Sequence, residues 1–538
     1  MGVKAAGLFY SSAAAETLKE NRRCRSMQKA AVLGALGIVI MLMVPAIGDM
    51  SPTVNRDDPA GESHAVVVAP SVPGHLVPRG GGFTLVAPRS AMPVMVRPHD
   101  LFVITVSLAQ PAADWEATLD TAYDRVVESF SLPVREAHYF QERETWRVQV
   151  QVPETATPEL YNLTVTATFG GGWAAVTEPR AVSVVSAFKS NFSFVHLTDF
   201  HIGDPRGFTE DINKTLGWKA AKKSIDEINL LNPDFVLISG DLVFGQLYPF
   251  EYAFEYRTCH DILQRFQVPT YLVPGNHDGY IQCGQDGLVF WERFFGPRYY
   301  SFDYGSYHFT AVNSYDWPNR SRWAFSYLAF NWGGNVGAEQ LAWVEADAGA
   351  NSDAALSVMF MHHNPLWDTA NDSLLGNGYT GREALLDVID SHGVDVVLAG
   401  HVHYDHVTTV NDTLYLTTTT VSSGLSAPDT YWGYRLVRIT GDAIHSYNYR
   451  EPKYSIPLYR LNYTYDRNDG TADTVTATCE NDLDVDLTVR LCFYAPEGTY
   501  AVDNGVIVDQ RRGEGIAKIL VDAVLPAGRE TRVTLHPG

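Results

Sequence analysis

Five short, largely apolar runs mark the middle of the chain: residues 192–198, 234–238, 268–273, 356–361 and 394–398. Each is bounded by Gly, Pro or polar residues, and none keeps a clean polar–apolar alternation. Runs of this length and character read as buried strands. Between them the period changes. In 212–230, Leu216, Ala220, Ile225 and Ile228 recur at roughly helical spacing, with lysines on the other side. Residues 251–266, 338–348 and 382–392 read likewise. Strands alternating with helices predict an α/β core over 190–452. Within it, 279–335 is rich in aromatic residues; 299–302 and 308–312 read as further strands, and 317–332 as a loop insertion able to lid a site.

On both sides the period is two. Trp146, Val148, Val150 and Val152 alternate with polar residues, as do Tyr161, Leu163, Val165, Ala167 and Phe169, with a glycine turn at 170–172. Residues 65–188 therefore predict a small antiparallel, immunoglobulin-like β-sandwich. Val485, Leu487, Val489, Leu491 and Phe493 alternate in the same way, which predicts a second β-rich, sandwich-like domain over 455–538. Neither carries a cluster of potential ligands, so both read as spacers or packing modules.

The N-terminus changes the picture of where the protein works. Arg22, Arg23, Arg25 and Lys29 precede an apolar stretch over 30–47, so residues 1–48 read as a secretory signal or a retained N-terminal anchor. Residues 49–64, polar with Pro and Gly, read as a linker. The expectation is an extracytoplasmic protein, secreted or tethered to a membrane through 30–47. Four cysteines follow the apolar stretch; the sequence-local pairing is 259–283 with 479–492, although strand parity sets Cys479 and Cys492 on opposite faces, and buried thiols are the alternative. With 40 basic against 62 acidic residues and a formal net charge of −22, dedicated nucleic-acid binding is not expected.

The apolar runs end on metal-binding residue types. The first leads into Asp199-Phe200-His201, the second into Ser239-Gly240-Asp241, the third into Pro274-Gly275-Asn276-His277-Asp278. The fourth leads into His362-His363-Asn364-Pro365 and the last into Gly400-His401-Val402-His403. In open α/β sheets ligands collect beyond the carboxyl ends of the strands. Shared tips would pool carboxylates, an amide and imidazoles in one place, which suits Mn, Fe, Zn or Ni. Taken singly, each motif is more often structural; their order gives them weight.

That order resembles the calcineurin-like metallophosphoesterase superfamily, over about half of the chain. Phe295-Gly296-Pro297, residues 300–305 and residues 339–343 are similar to further segments usual there. The resemblance implies two packed sheets flanked by helices, with the site at one edge. It implies that Asp199, His201 and His403 hold one metal ion, that Asn276, His362 and His401 hold a second, and that Asp241 bridges both. His277 would be the catalytic histidine. His363 competes with His362, whose strand-end position favours it. Where protein Ser/Thr phosphatases carry an Asp that pairs with the catalytic histidine, this chain has Phe244, so Asp278 or a backbone group must orient His277.

The expectation is an exported phosphoesterase, dependent on two metal ions, that hydrolyses phosphomonoesters or phosphodiesters by attack of a metal-bound hydroxide. Its partner is a small phosphate ester; Arg320 and Arg322, among Trp317, Trp323 and Tyr327, are candidate substrate contacts. The alternatives are an extracellular nuclease, or a surface scaffold or adhesion protein with a vestigial site.

Overall fold

Two six-stranded sheets face each other in the middle of the molecule. The computed structural model describes residues 67–538 apart from 77–81, 123–124, 205–215, 246–251, 326–327, 330, 368–377 and 425–429. The N-terminal signal or anchor, the linker over 49–64 and Tyr327 lie outside the described residues. In the first sheet Thr270–Val273, Phe235–Ser239 and Asn191–Leu197 run parallel, followed by antiparallel Gly433–Thr440, which pairs with both Ala443–Ser446 and Ile456–Pro457. In the second the order is Tyr300–Tyr304, Tyr307–Ala311, Leu356–Phe360, Val396–Ala399, Thr413–Thr417 and His406–Val410.

The five apolar runs are strands because both of their faces are covered, which is why they do not alternate. Between the sheets lies an aromatic layer. Phe194 stacks on Phe235 at 5.4 Å, Phe302 on Phe309 at 5.0 Å, and Val358, Phe360, Val396 and Leu398 fill the remainder. On the outer face of the first sheet, Val195, Leu197, Val236 and Ile238 meet Ala220, Ile225 and Ile228 of helix Leu216–Leu231 and Ile262 of helix Tyr252–Leu263. On the outer face of the second, Met359 and Val397 meet Val344 of helix Ala338–Ala350 and Ile389 of helix Arg382–His392. The strands of both sheets that carry the sequence motifs therefore end at one edge, held from above and below.

The flanking β regions are sandwiches of their own. Residues 67–184 form two five-stranded sheets around Phe102, Ile104, Leu163 and Val165, and residues 461–537 form a four-stranded and a three-stranded sheet around Ala477, Val489, Ile519 and Val533. Both are docked. Arg180, in a left-handed conformation at a bulge, donates to the carbonyls of Phe266 (2.9 Å) and Val268 (2.8 Å). Lys223 donates to Asn462 at 2.7 Å, while Glu227 accepts from the Tyr434 hydroxyl and the Tyr459 amide. No disulfide joins the described cysteines. Cys259 is buried in a helix and Cys283 is exposed, while Cys479 points into the C-terminal core and Cys492 lies in a different sheet. No helix among the described residues is long and apolar enough to cross a membrane.

One buried charge cluster ties the second sheet to its helices. His308 lies between two carboxylates, with Nδ1 2.8 Å from Asp303 and Nε2 3.0 Å from Asp347. Asp347 also accepts from Ser301 and Thr310. An imidazole donates from both nitrogens only when protonated. Burial works against that charge, but the two carboxylates prevail and raise His308 from 6.5 to about 9. A group whose pKa rises on folding contributes stability that is fully present below its unfolded value and is lost as pH climbs through the folded one. The stability advantage of the wild type over His308→Gln should therefore be largest near pH 6 and shrink by about 3 kcal/mol towards pH 10. Thermal melts of both proteins across that range check it; a gap that does not narrow with pH would reject the protonated cluster.

Candidate metal centre

All seven residues expected as ligands, and His277, meet at the edge where the two sheets face each other. Each follows a strand directly, and five adopt left-handed backbone angles that non-glycine residues rarely take: Asp199 (φ 59°), His201 (46°), Asp241 (54°), His401 (74°) and His403 (61°). Such residues cost about 1–3 kcal/mol each and persist where their surroundings over-determine them. Close loop packing supplies part of that determination. A side chain at Gly400 would meet Thr198 Oγ1 at 2.0 Å, and one at Gly275 would meet Asp241 Oδ1 at 2.2 Å. The glycines beside the ligands are there because the loops touch.

Hydrogen bonds behind His362, Asn276 and His403 fix which atom each presents. His362 Nδ1 lies 2.7 Å from the Ser239 carbonyl, so Nδ1 carries the proton and Nε2 faces inward as a lone pair. That nitrogen lies 3.1 Å from Asp241 Oδ2, 3.1 Å from Asn276 Oδ1 and 3.1 Å from His401 Nδ1. Asn276 turns its oxygen to this side because its amide nitrogen donates to the Tyr280 hydroxyl at 2.6 Å. On the other side His403 Nδ1 donates to the Gly424 carbonyl (2.6 Å), which aims Nε2 at Asp199 Oδ1, 3.2 Å away. His201 Nε2 lies between the halves, 3.4 Å from Asp199 Oδ1 and 3.5 Å from Asp241 Oδ2. Asp241 Oδ2 thus faces both groups, while its Oδ1 accepts the His277 amide at 2.8 Å.

This donor set fits metal ions. Lone pairs on carboxylate, amide and imidazole atoms 3.1–3.5 Å apart repel one another unless positive charge lies between them. Protons take up part of that role where no metal balances the site. Burial disfavours a charged His362, yet Asp241 and Asp199 push it up to about 9. Asp241 and Asp199 are held well below the usual carboxylate range by the surrounding imidazoles, against the effect of burial.

His363 lies close enough to His362 and His401 for a ring nitrogen to fall within 4.8 Å of theirs, but its nitrogens are already bonded. Its Nε2 is bonded to the Trp332 carbonyl (3.0 Å), its Nδ1 to Ser314 Oγ (2.9 Å), and burial lowers it to about 3. Both nitrogens are used, and the ring packs 4.4 Å from that of His401. His277 is oriented by a backbone group: its Nδ1 donates to the Phe244 carbonyl at 2.5 Å. Asp278 has another task. Fully buried, it accepts from the amides of Leu242, Val243 and Gly275 and knits the two loops together; burial, then the Asp241 charge, raises it to about 7.

Arg322 is not a substrate contact. It is buried, with a two-pronged pair to Asp286 (2.7 Å on each oxygen) and bonds to the carbonyls of Gly279 and Trp317, so it pins the turn over 317–322 down. Arg320 is exposed. The sequence reading missed the backbone acceptors Ser239, Phe244 and Gly424, and also Thr420, whose hydroxyl holds the Asp199 carbonyl at 2.9 Å. The signal for the last was visible as the unusual polar run Thr417 to Ser423 after a strand.

Residues 192–405 match the family described as calcineurin-like phosphoesterase. A probable cyclic nucleotide phosphodiesterase of Vesicomyosocius okutanii is 26% identical over 217 residues, which cover 40% of this chain and 79% of that protein. Purple acid phosphatase 23 of Arabidopsis thaliana is 27% identical over 214 residues, covering 34% and 43%. A probable glycerophosphodiester phosphodiesterase of Arcobacter nitrofigilis is 28% identical over 226 residues, covering 41% and 76%.

The two neighbouring histidines should separate cleanly in metal analysis. His362→Ala is expected to lose about one metal ion per chain, because it removes the nitrogen on which one donor group converges. His363→Ala is expected to lower the melting temperature and keep the metal. Elemental analysis of the purified variants distinguishes them, and metal loss confined to His363→Ala would reverse the assignment.

Proposed function

Residues 192–405 belong to the calcineurin-like phosphoesterases, a family of metal-dependent phosphoester hydrolases, and on that premise we propose that this chain cleaves phosphate esters at a centre for two metal ions. The observation that carries the reading is the position of Asp241 Oδ2, which faces His362 on one side and His201 on the other. Asp199, His201 and His403 would hold one ion; Asn276, His362 and His401 the other; Asp241 lies between. Such a pair supplies Lewis acidity towards phosphoryl oxygens and brings the ionisation of water close to neutral pH.

The chain's own residues do the rest. The ligand residues are buried or half-buried, and His277 is half-buried. His277 stands beside Asp241 and His201. Because its Nδ1 proton is committed to Phe244, its Nε2 is the basic nitrogen, suited to accept a proton and pass it to the departing oxygen. Burial lowers His277 to about 4, which keeps it neutral at ordinary pH. On the outer side, His401 is flanked by the exposed Trp332 (ring centroids 5.8 Å apart) and by Trp367 (6.2 Å). An aromatic wall of this kind favours esters with a flat leaving group. The basic and apolar N-terminal segment supports a site of action outside the cytoplasm.

Hydrolysis of p-nitrophenyl phosphate and bis-p-nitrophenyl phosphate by the full chain, with and without chelator, tests the reading. Activity should vanish on metal removal and return with added ions. His277→Ala should lower kcat about 10²–10⁴-fold with metal content unchanged. Full activity in Asp241→Asn, or in chelator, would sink the two-ion mechanism, and metal uptake without any turnover would favour a scaffold. For the wall, Trp332→Ala should raise KM for aromatic esters about 3–10-fold and leave alkyl phosphates unaffected.

A further inference from the structure

Behind the His401–His403 turn lies a buried charged pair that the ligand set does not use. Asp405 and Arg435 pair at 2.6 Å, with side chains 2% and 0% exposed. Asp405 accepts from five donors. Oδ1 takes Arg435 Nη2 (2.6 Å), Ser455 Oγ (2.5 Å) and the Thr419 amide (3.2 Å). Oδ2 takes the Tyr431 hydroxyl (2.7 Å) and the Ser455 amide (2.9 Å). Arg435 spends its other donors on the carbonyls of Tyr447, Thr417 and Lys453 and on Thr418 Oγ1. A carboxylate so fully satisfied, two residues from an expected metal ligand, calls for a reason.

We propose that Asp405, with Arg435 as its counter-ion, is the positioning residue of the half-site formed by Asp199, His201 and His403. His401 and His403 both hold left-handed angles, so the turn between them relaxes unless each end is clamped. At the entrance the His401 amide donates to Asp199 Oδ2 at 3.0 Å. At the exit the clamp is Asp405. The ring of His403 depends on the same residue, because its Nδ1 is held by the carbonyl of Gly424, on the loop that follows strand Thr413–Thr417. Asp405 fixes that loop through the Thr419 amide. Both the backbone of His403 and the partner of its ring therefore rest on one carboxylate.

The other half-site is held differently. The His362 ring leans on the Ser239 carbonyl, the Asn276 amide on Tyr280, and His401, at the entrance of the turn, on Asp199 through its own amide, so that this end stays clamped when Asp405 is lost. Arg435 is less selective, since Thr418 links it to His196 (2.7 Å) and His196 to the Ser239 hydroxyl (2.9 Å). Asp405 is accordingly the residue to substitute. Its loss should weaken one ion and spare the other. A purely structural salt bridge would lower stability and treat both ions alike.

The proposal rests on the two-ion reading, and metal titration of the stripped full-length chain with Mn²⁺ separates the two. The wild type should take up about two ions. Asp405→Asn should keep one at wild-type affinity and bind the other about 10–100-fold more weakly, with kcat recovering at saturating metal. Asp347→Asn, in the remote His308 cluster, is the control: it should lower the melting temperature and leave both affinities unchanged. Should Asp405→Asn not fold, Tyr431→Phe combined with Ser455→Ala removes two of its five donors and should weaken the same ion by a smaller factor. Unchanged affinities, or both ions weakened alike, would overturn the role of Asp405. A wild type that binds one ion would overturn the two-ion reading; Asp405 would then stand if its substitution weakens that ion and fall if it does not.

Discussion

Seven electron-rich side chains are forced into one place at the edge of two sheets, and much of the architecture exists to keep them there. Three atoms with lone pairs lie 3.1 Å from His362 Nε2, and five of the seven residues sit in a backbone conformation that disfavours side chains. Left alone, such a group would spread apart. It is held by strands buried on both faces, by glycines that let the loops touch, and by carbonyl oxygens that fix the outward protons of His362 and His403. Positive charge inside the group converts the same repulsion into binding. The site is thus poised: expensive to assemble, and for that reason already shaped when its cations arrive.

The parts of this arrangement that follow from local pattern were readable in the sequence. Unalternating apolar runs became strands covered on both faces, helical spacing became the helices Leu216–Leu231, Ala338–Ala350 and Arg382–His392, and alternation became sandwiches. The residues that converge at the site were readable because they follow strand ends, where the chain must leave the sheet and side chains face outward together. Even the His362–His363 choice was visible in part, since the residue nearest the strand end is the one directed at its neighbours' tips.

What was not readable depends on contacts between distant segments. The carbonyls of Ser239, Phe244 and Gly424 leave no trace in residue type, because every residue has one. The role of Asp405 needs Arg435 and Ser455, 30 and 50 positions further on. Arg322 looked like a phosphate contact because an arginine among aromatics is ambiguous until its partner is known; Asp286, 36 positions earlier, decides it. The cysteines show the same limit: parity separated Cys479 from Cys492, but nothing local told that Cys259 is enclosed within a helix packed against a sheet.

Phe244 illustrates how one such contact bears on chemistry. A carboxylate beside an imidazole stabilises its protonated form and raises its pKa; a carbonyl fixes the tautomer while adding no full charge. In this chain burial outweighs both the nearby Asp241 charge and the Phe244 carbonyl, and His277 falls to about 4. The hydrophobic side chain adds to this by covering the ring, 5.5 Å between centroids. A neutral histidine beside an assembly that gains positive charge on binding metal avoids placing a third cation there. Under the proposed mechanism it would enter as an acceptor and donate only a proton taken from the site itself.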